Sequence, residues 1–167
     1  MIDTENNTKK EVRIKIKGVH KNINSDIPNI SSSFENIDCQ ELAENIVETE
    51  CSGFYQKIGR QIYIKYVEEI ETQVVSNNLL KIDNNIDEIK IEIIKKGIVN
   101  SKMTFIEKVK TENIYNTPYG KINMMIDTKS IHIKTKEDRI FVNIKYDLFM
   151  ENGHMSMSEI DIIIESL

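Results

Sequence analysis

Tryptophan is absent from this chain, and proline and cysteine occur only twice each. Two cysteines, Cys39 and Cys51, with no CxxC and no matching histidine pair, exclude a disulfide scaffold and a cysteine zinc site. They read as reduced thiols, with Cys51 inside a strand. No run reaches the ~18 apolar residues of a membrane helix. The start, MIDTENNTKKEV, has no apolar signal core. The expected location is the cytoplasm, with no membrane partner. A basic excess is missing too: the formal net charge is −5, which argues against a nucleic-acid backbone as partner. There is no GxSxG, P-loop, GxGxxG or HExxH. The three histidines, His20, His132 and His154, are too scattered to make a spaced metal motif. The sequence therefore points to no enzyme, cofactor or metal. At 40% hydrophobic and 29% charged it is still an ordinary folding chain.

What the chain does have is β pattern. The longest stretch runs from Ile114 to Thr135. Thr117-Pro118-Tyr119-Gly120 is a turn signal, with proline presetting φ and glycine tolerating φ > 0. Ile122, Met124 and Ile126 then alternate with polar residues, while Ile131 and Ile133 fall on the opposite parity. A phase change in a period-2 pattern needs an extra residue, so a β-bulge is expected near Asp127–Ser130. Elsewhere Val12, Ile14 and Ile16 alternate with Arg13, Lys15 and Lys17 in a first strand, Glu11–Val19. Strand character resumes near Asn45 and runs to Lys57, and Ile58-Gly59-Arg60 turns into Gln61–Glu69. Residues 70–83 read as a strand with Val74, Val75, Leu79 and Leu80 as its apolar members. Ile89, Ile91 and Ile93 begin another, and Lys95-Lys96-Gly97 connects it to Ile98–Glu107. Asp138-Arg139 turns into the alternating Ile140, Val142, Ile144, Tyr146 and Leu148. Asn152-Gly153 is the strongest hairpin signal, of type I′, and leads into Met155–Glu165.

About eight to ten strands joined by short turns imply an all-β, antiparallel fold with at most one short helix, at the capping box Asp38–Glu41. So many strands must close or stack, which makes an up-and-down barrel the first choice and a two-sheet sandwich the second. Residues 1–10 form a polar tail and 11–167 a single domain, interrupted by an Asn/Ser-rich loop insertion at about 20–43 that carries Pro28.

Several segments resemble a known group. They are Gly53-Phe54-Tyr55-Gln56-Lys57 followed by Tyr63-Ile64-Lys65-Tyr66-Val67-Glu68; Lys96-Gly97 followed by Met103-Thr104-Phe105; Tyr115–Gly120 with Thr128-Lys129-Ser130-Ile131; and Ile144-Lys145-Tyr146-Asp147-Leu148. On these, from about Asn45 to the C-terminus, the chain resembles the YwiB-like family of bacterial proteins of unknown function. The resemblance implies a lipocalin-like, calycin-type barrel and no established activity. The chain departs from the family in carrying lysine at Lys95 and Lys96, where an arginine is usual before Gly97. It also carries Lys108 where glycine is usual.

One constellation could bind something. Tyr55, Tyr66, Met103, Phe105, Met124 and Tyr146 fall at strand positions compatible with one inner surface. A barrel of this size either fills its interior or holds one small ligand. Tyrosine hydroxyls inside it need partners, and methionines supply give. The acidic pairs Glu68-Glu69 and Asp87-Glu88 read as solvated strand ends, with a place in the barrel mouth as the alternative for Glu68. The stripe Arg13, Lys15, Lys17 lacks interleaved aromatics and reads as an outer solvated face. The leading expectation is a small apolar or amphipathic ligand in the interior of a monomer or homodimer. The alternative is a filled barrel serving protein–protein interaction or structure through its surface or an edge strand, such as the first strand.

Overall fold

The computed structural model describes residues 9–23, 44–71, 73–151, 153 and 155–167. Cys39, Pro28, the Asp38–Glu41 capping box and His154 lie outside the described residues. Ten strands run in chain order: β1 Lys10–Ile23, β2 Glu44–Ile58, β3 Gln61–Ile70, β4 Gln73–Asn84 and β5 Ile89–Gly97. They continue with β6 Asn100–Ile106, β7 Lys110–Thr117, β8 Gly120–Lys136, β9 Arg139–Met150 and β10 Met155–Ser166. Each is antiparallel to its neighbours in sequence, and β1 also pairs with β10, so the sheet closes into an up-and-down barrel. Closure gives β1 a neighbour on both sides and removes the free edge that the sequence left open there.

Alternation decides what faces inward. Val12 and Ile14 on β1, Ile64 on β3, Leu80 and Ile82 on β4, and Ile160, Ile162 and Ile164 on β10 are all buried. On the opposite face Lys17 and Lys21 of β1 stand across from Glu48 and Glu44 of β2, and Arg13 reaches diagonally to Glu50, in solvated ion pairs. The basic stripe is an outer face, as its alternation predicts. His132 is exposed, opposite in parity to its isoleucine neighbours.

The expected bulge is present. Pairing of β8 with β9 shifts between Thr128, opposite Tyr146, and Ser130, opposite Lys145. Lys129 is the extra residue, and its ammonium lies 2.8 Å from Asp127 and 3.2 Å from Asp147 on the outside. The slip lets Thr128 and Ile131, three apart, both face inward. Gly120 takes φ +136° at its turn, where the Thr117 hydroxyl donates to its carbonyl and accepts from the Tyr119 amide. Lys108, where the family resemblance puts glycine, has φ +62°.

Three local readings are corrected. A second bulge, where β3–β4 pairing shifts between Glu68 and Glu69, resets β4. Leu80 and Ile82 are its buried apolar residues, while Val74 is 56% exposed. β6 begins at Asn100, and Ile98 lies exposed in the turn before it. At the β9–β10 connection the Gly153 amide donates to the Met150 carbonyl at 3.0 Å. Gly153, at φ +81°, therefore closes that turn instead of occupying its centre as a type I′ hairpin requires.

The ladder is weakest between β6 and β7, where only Asn100–Asn116 and Ser101–Tyr115 pair; the ladders of β2–β3 and β5–β6 each run over six pairs. Beyond that point the Asn113 side chain bridges the strands. Its Oδ1 accepts from the Thr104 amide at 2.9 Å and its Nδ2 donates to the Thr111 carbonyl at 3.0 Å.

Candidate functional site

The barrel interior is divided along its axis. At the end where residues 59–60 and 137–138 turn, inward positions carry isoleucine, valine, leucine and phenylalanine. At the opposite end, which the turn at 118–119 marks, they carry Ser76 and Asn78 on β4, Ser101 on β6, Thr128 on β8, and Ser156 and Ser158 on β10. All six are buried, none more than 7% exposed. Hydroxyl and amide side chains in such positions need partners, because a buried polar group without one costs about 1–3 kcal/mol.

Two walls of this serine-rich end meet that need differently. On the β1–β10–β9 side, His20 Nδ1 lies 2.8 Å from Ser158 Oγ, which lies 3.2 Å from Ser156 Oγ and also bonds the Tyr146 hydroxyl. Burial holds His20 below its ordinary pKa and pushes Tyr146 up to about 12, the Ser158 bond pulling Tyr146 the other way.

On the β3–β4–β5 side, register places Tyr66 opposite Asn78 and Asn78 opposite Lys95. One step toward the rim, Glu68 stands opposite Ser76. Lys95 Nζ lies 2.9 and 3.1 Å from the two Glu68 oxygens, and Ser76 donates to the same carboxylate at 3.2 Å. That ion pair occupies Glu68, so it is not a free base. Cys51 on β2 adjoins the group; burial, then the Glu68 charge, push its thiol up to about 11, with Lys95 acting in the opposite direction. The Tyr66 hydroxyl is held neutral by burial and by Glu68. Among the described residues it has no hydrogen-bond partner, and neither do Nδ2 and Oδ1 of Asn78 nor Thr128 Oγ1. Among the described residues no three His, Cys, Asp or Glu side chains converge as a metal site.

The six residues singled out from sequence all sit on the inward parity. Tyr66, Phe105, Met124 and Tyr146 are buried, and Tyr55 and Met103 pack half-buried against the core. Phe105 and Tyr146 meet edge-on, with ring centroids 5.0 Å apart, and fill space together. Tyr66 belongs with the polar group. Sequence reasoning missed Asn78, Ser76 and Lys95. The available signal was parity, since Ser76 and Asn78 share the phase of Leu80 and Ile82.

Comparison with known proteins agrees with this architecture. A family model described as a domain of unknown function, DUF1934, matches residues 32–162. The chain belongs to the DUF1934 family. The uncharacterized β-barrel protein YwiB of Bacillus subtilis (strain 168) is 23% identical over 114 residues, covering 67% of this chain and 77% of YwiB. The crystal structure of the ywiB protein from Bacillus subtilis superposes with a TM-score of 0.70, at 17% identity, over 100% of this chain and 99% of that one. At that identity the likeness carries the fold alone. It places this DUF1934 chain among uncharacterised β-barrel proteins.

Proposed function

We propose that the barrel is a binding module for a small amphipathic molecule held at the serine-rich end of its interior. The observation that carries this reading is the cross-strand pair Tyr66–Asn78, whose hydroxyl and amide are buried with no partner among the described residues. The isoleucine-filled end gives the guest an apolar floor, and Tyr66, Asn78 and Thr128 give its polar part hydrogen bonds. These atoms are sealed from solvent, so a guest reaches them only by displacing side chains. Met103 and Met124, flexible and unbranched, are suited to yield. Tyr55, Phe105 and Tyr146 complete the lining.

The test is native mass spectrometry on protein purified gently from its own host, set against the denatured mass. A reproducible excess on the wild type that disappears in Tyr66→Phe/Asn78→Leu is expected. The double variant should melt no lower than the wild type, because it removes unsatisfied polar groups in favour of apolar ones of similar shape. A bare wild-type mass, or a guest retained undiminished by the variant, would overturn the reading.

A further inference from the structure

The outer wall of β2–β5 carries a groove of about 540 Å³, within the ~300–1,000 Å³ of small-molecule sites. Its floor is two cross-strand rows on the outward parity. Phe54, Lys65, Leu79 and Ile94 stand in register across the four strands, and Val67, Asn77 and Lys96 form the next row. The outward face of an antiparallel barrel is ordinarily polar. Here four of these seven positions are apolar, and Phe54 is 42% exposed. Val67, Leu79 and Ile94 beside it are half-buried, and a contiguous apolar surface on an outer face marks a binding site more often than chance.

Charge decides what the groove fits. Lys17 and Lys21 on β1, and Lys81, Lys90 and Lys102 around Glu92, are each matched to a carboxylate. Lys65 and Lys96 have no such partner among the described residues, although the chain as a whole is acidic. Asn77 lies between them, directly paired with Lys96 and diagonal to Lys65 across β3–β4. Glu11 lines the far end, opposite Phe54, where the Lys9 ammonium lies 4.3 Å from the Phe54 ring, so that end carries one charge of each sign while Lys65 and Lys96 flank Asn77 without a carboxylate between them.

We infer that this groove binds a single-chain amphipathic carboxylate. Its head sits over Asn77 between the Lys65 and Lys96 ammonium groups, and its chain crosses Val67 and Leu79 toward Phe54. Two strand spacings and one two-residue step along the strand separate Asn77 on β4 from Phe54 on β2, about 12 Å, so a medium-length acyl chain fits the floor. This site lies on the outer face of the wall; Tyr66 and Asn78, whose side chains face inward, also border it, but it needs no guest in the interior.

The probe is dodecanoate, titrated calorimetrically below its micelle concentration, with dodecanol as the neutral counterpart. One dodecanoate per chain is expected, at least tenfold weaker in Lys65→Ala/Lys96→Ala. Dodecanol should bind more weakly and be indifferent to that variant. Both lysines are exposed and have no ion-pair partner among the described residues, so the variant should keep the wild-type melting temperature. Lys134→Ala/Lys136→Ala, elsewhere on the wall, should bind dodecanoate as the wild type does. Absence of binding, affinity unchanged in Lys65→Ala/Lys96→Ala, or methyl shifts at inward residues such as Ile64 and Ile144 would overturn the inference. So would a stable dimer whose interface covers Phe54 and Leu79.

Discussion

Replacing Asn113 by alanine isolates the seam between β6 and β7. Along most of that boundary no backbone ladder exists, and the Asn113 side chain, only 4% exposed, supplies the link. Its oxygen satisfies the Thr104 amide, and its nitrogen bonds the Thr111 carbonyl and the Thr111 hydroxyl. That hydroxyl in turn donates to the Thr104 carbonyl at 2.6 Å, so one residue holds three strand groups together. Alanine strands the Thr104 N–H in a part-buried place and removes the donor to Thr111. The orphaned donor costs about 1–3 kcal/mol and the lost bond about 1 kcal/mol more. The expected total is roughly 2–4 kcal/mol, which lowers the melting temperature by about 5–15 °C in a chain of this size. Urea denaturation measures the total, and amide hydrogen exchange localises it. The Thr104 amide should lose protection selectively, while the amides of β9 and β10 keep theirs. A melting temperature within a degree or two of the wild type, with Thr104 still protected, would refute the claim that this side chain substitutes for the ladder.

Further outcomes follow from backbone conformation and burial. Gly120→Val forces a β-branched residue to φ +136° and should cost about 1–3 kcal/mol, read as a lower melting temperature. Lys108→Gly relieves a left-handed lysine at φ +62° and should leave the protein slightly more stable, by about 1 kcal/mol or less. With its thiol pushed up to about 11, Cys51 in a Cys39→Ser background should react with iodoacetamide at pH 8 about 100-fold more slowly than the unfolded chain. His20 is held below its usual 6.5 by burial, so the unfolded chain takes up that proton first. Stability should therefore fall as pH drops below 6.5, levelling only once the folded histidine is protonated, and His20→Gln should flatten that slope in melts between pH 7 and 5.

The fold was largely readable because period-2 alternation is a strong signal when the inward residue is isoleucine. Ile140 to Leu148 and Ile160 to Ile164 mark β9 and β10, and the parity slip after Ile126 marks the bulge. The same signal failed where inward residues are polar. Ser76 and Asn78 look like solvent-facing positions, so Val74, Val75, Leu79 and Leu80 read as the apolar members of β4, and a bulge at that point hides the correct phase. The six aromatic and methionine residues were found because size and apolarity mark inward positions. Asn78 and Lys95 were invisible because only pairing across β3, β4 and β5 brings them beside Tyr66. The outer groove was unreadable for the opposite reason. Phe54, Val67, Leu79 and Ile94 come from four strands, and nothing in any one of them announces a shared row.

Strand alternation obliges every second residue to face the interior, but it does not dictate polarity. One end of this barrel fills those positions with isoleucine, and the other end could have done the same at a gain in stability. It carries serine, threonine and asparagine instead. On the β1–β10–β9 wall these groups satisfy one another, since Ser158 serves His20, Ser156 and Tyr146 together. On the β3–β4 wall Tyr66 and Asn78 do not, although they face each other directly. A polar pair that served only to complete the fold would be expected to resemble the first wall. The contrast within one interior, between a wall whose hydrogen bonds are complete and one whose hydrogen bonds are not, favours the β3–β4 side as the place where a guest completes them.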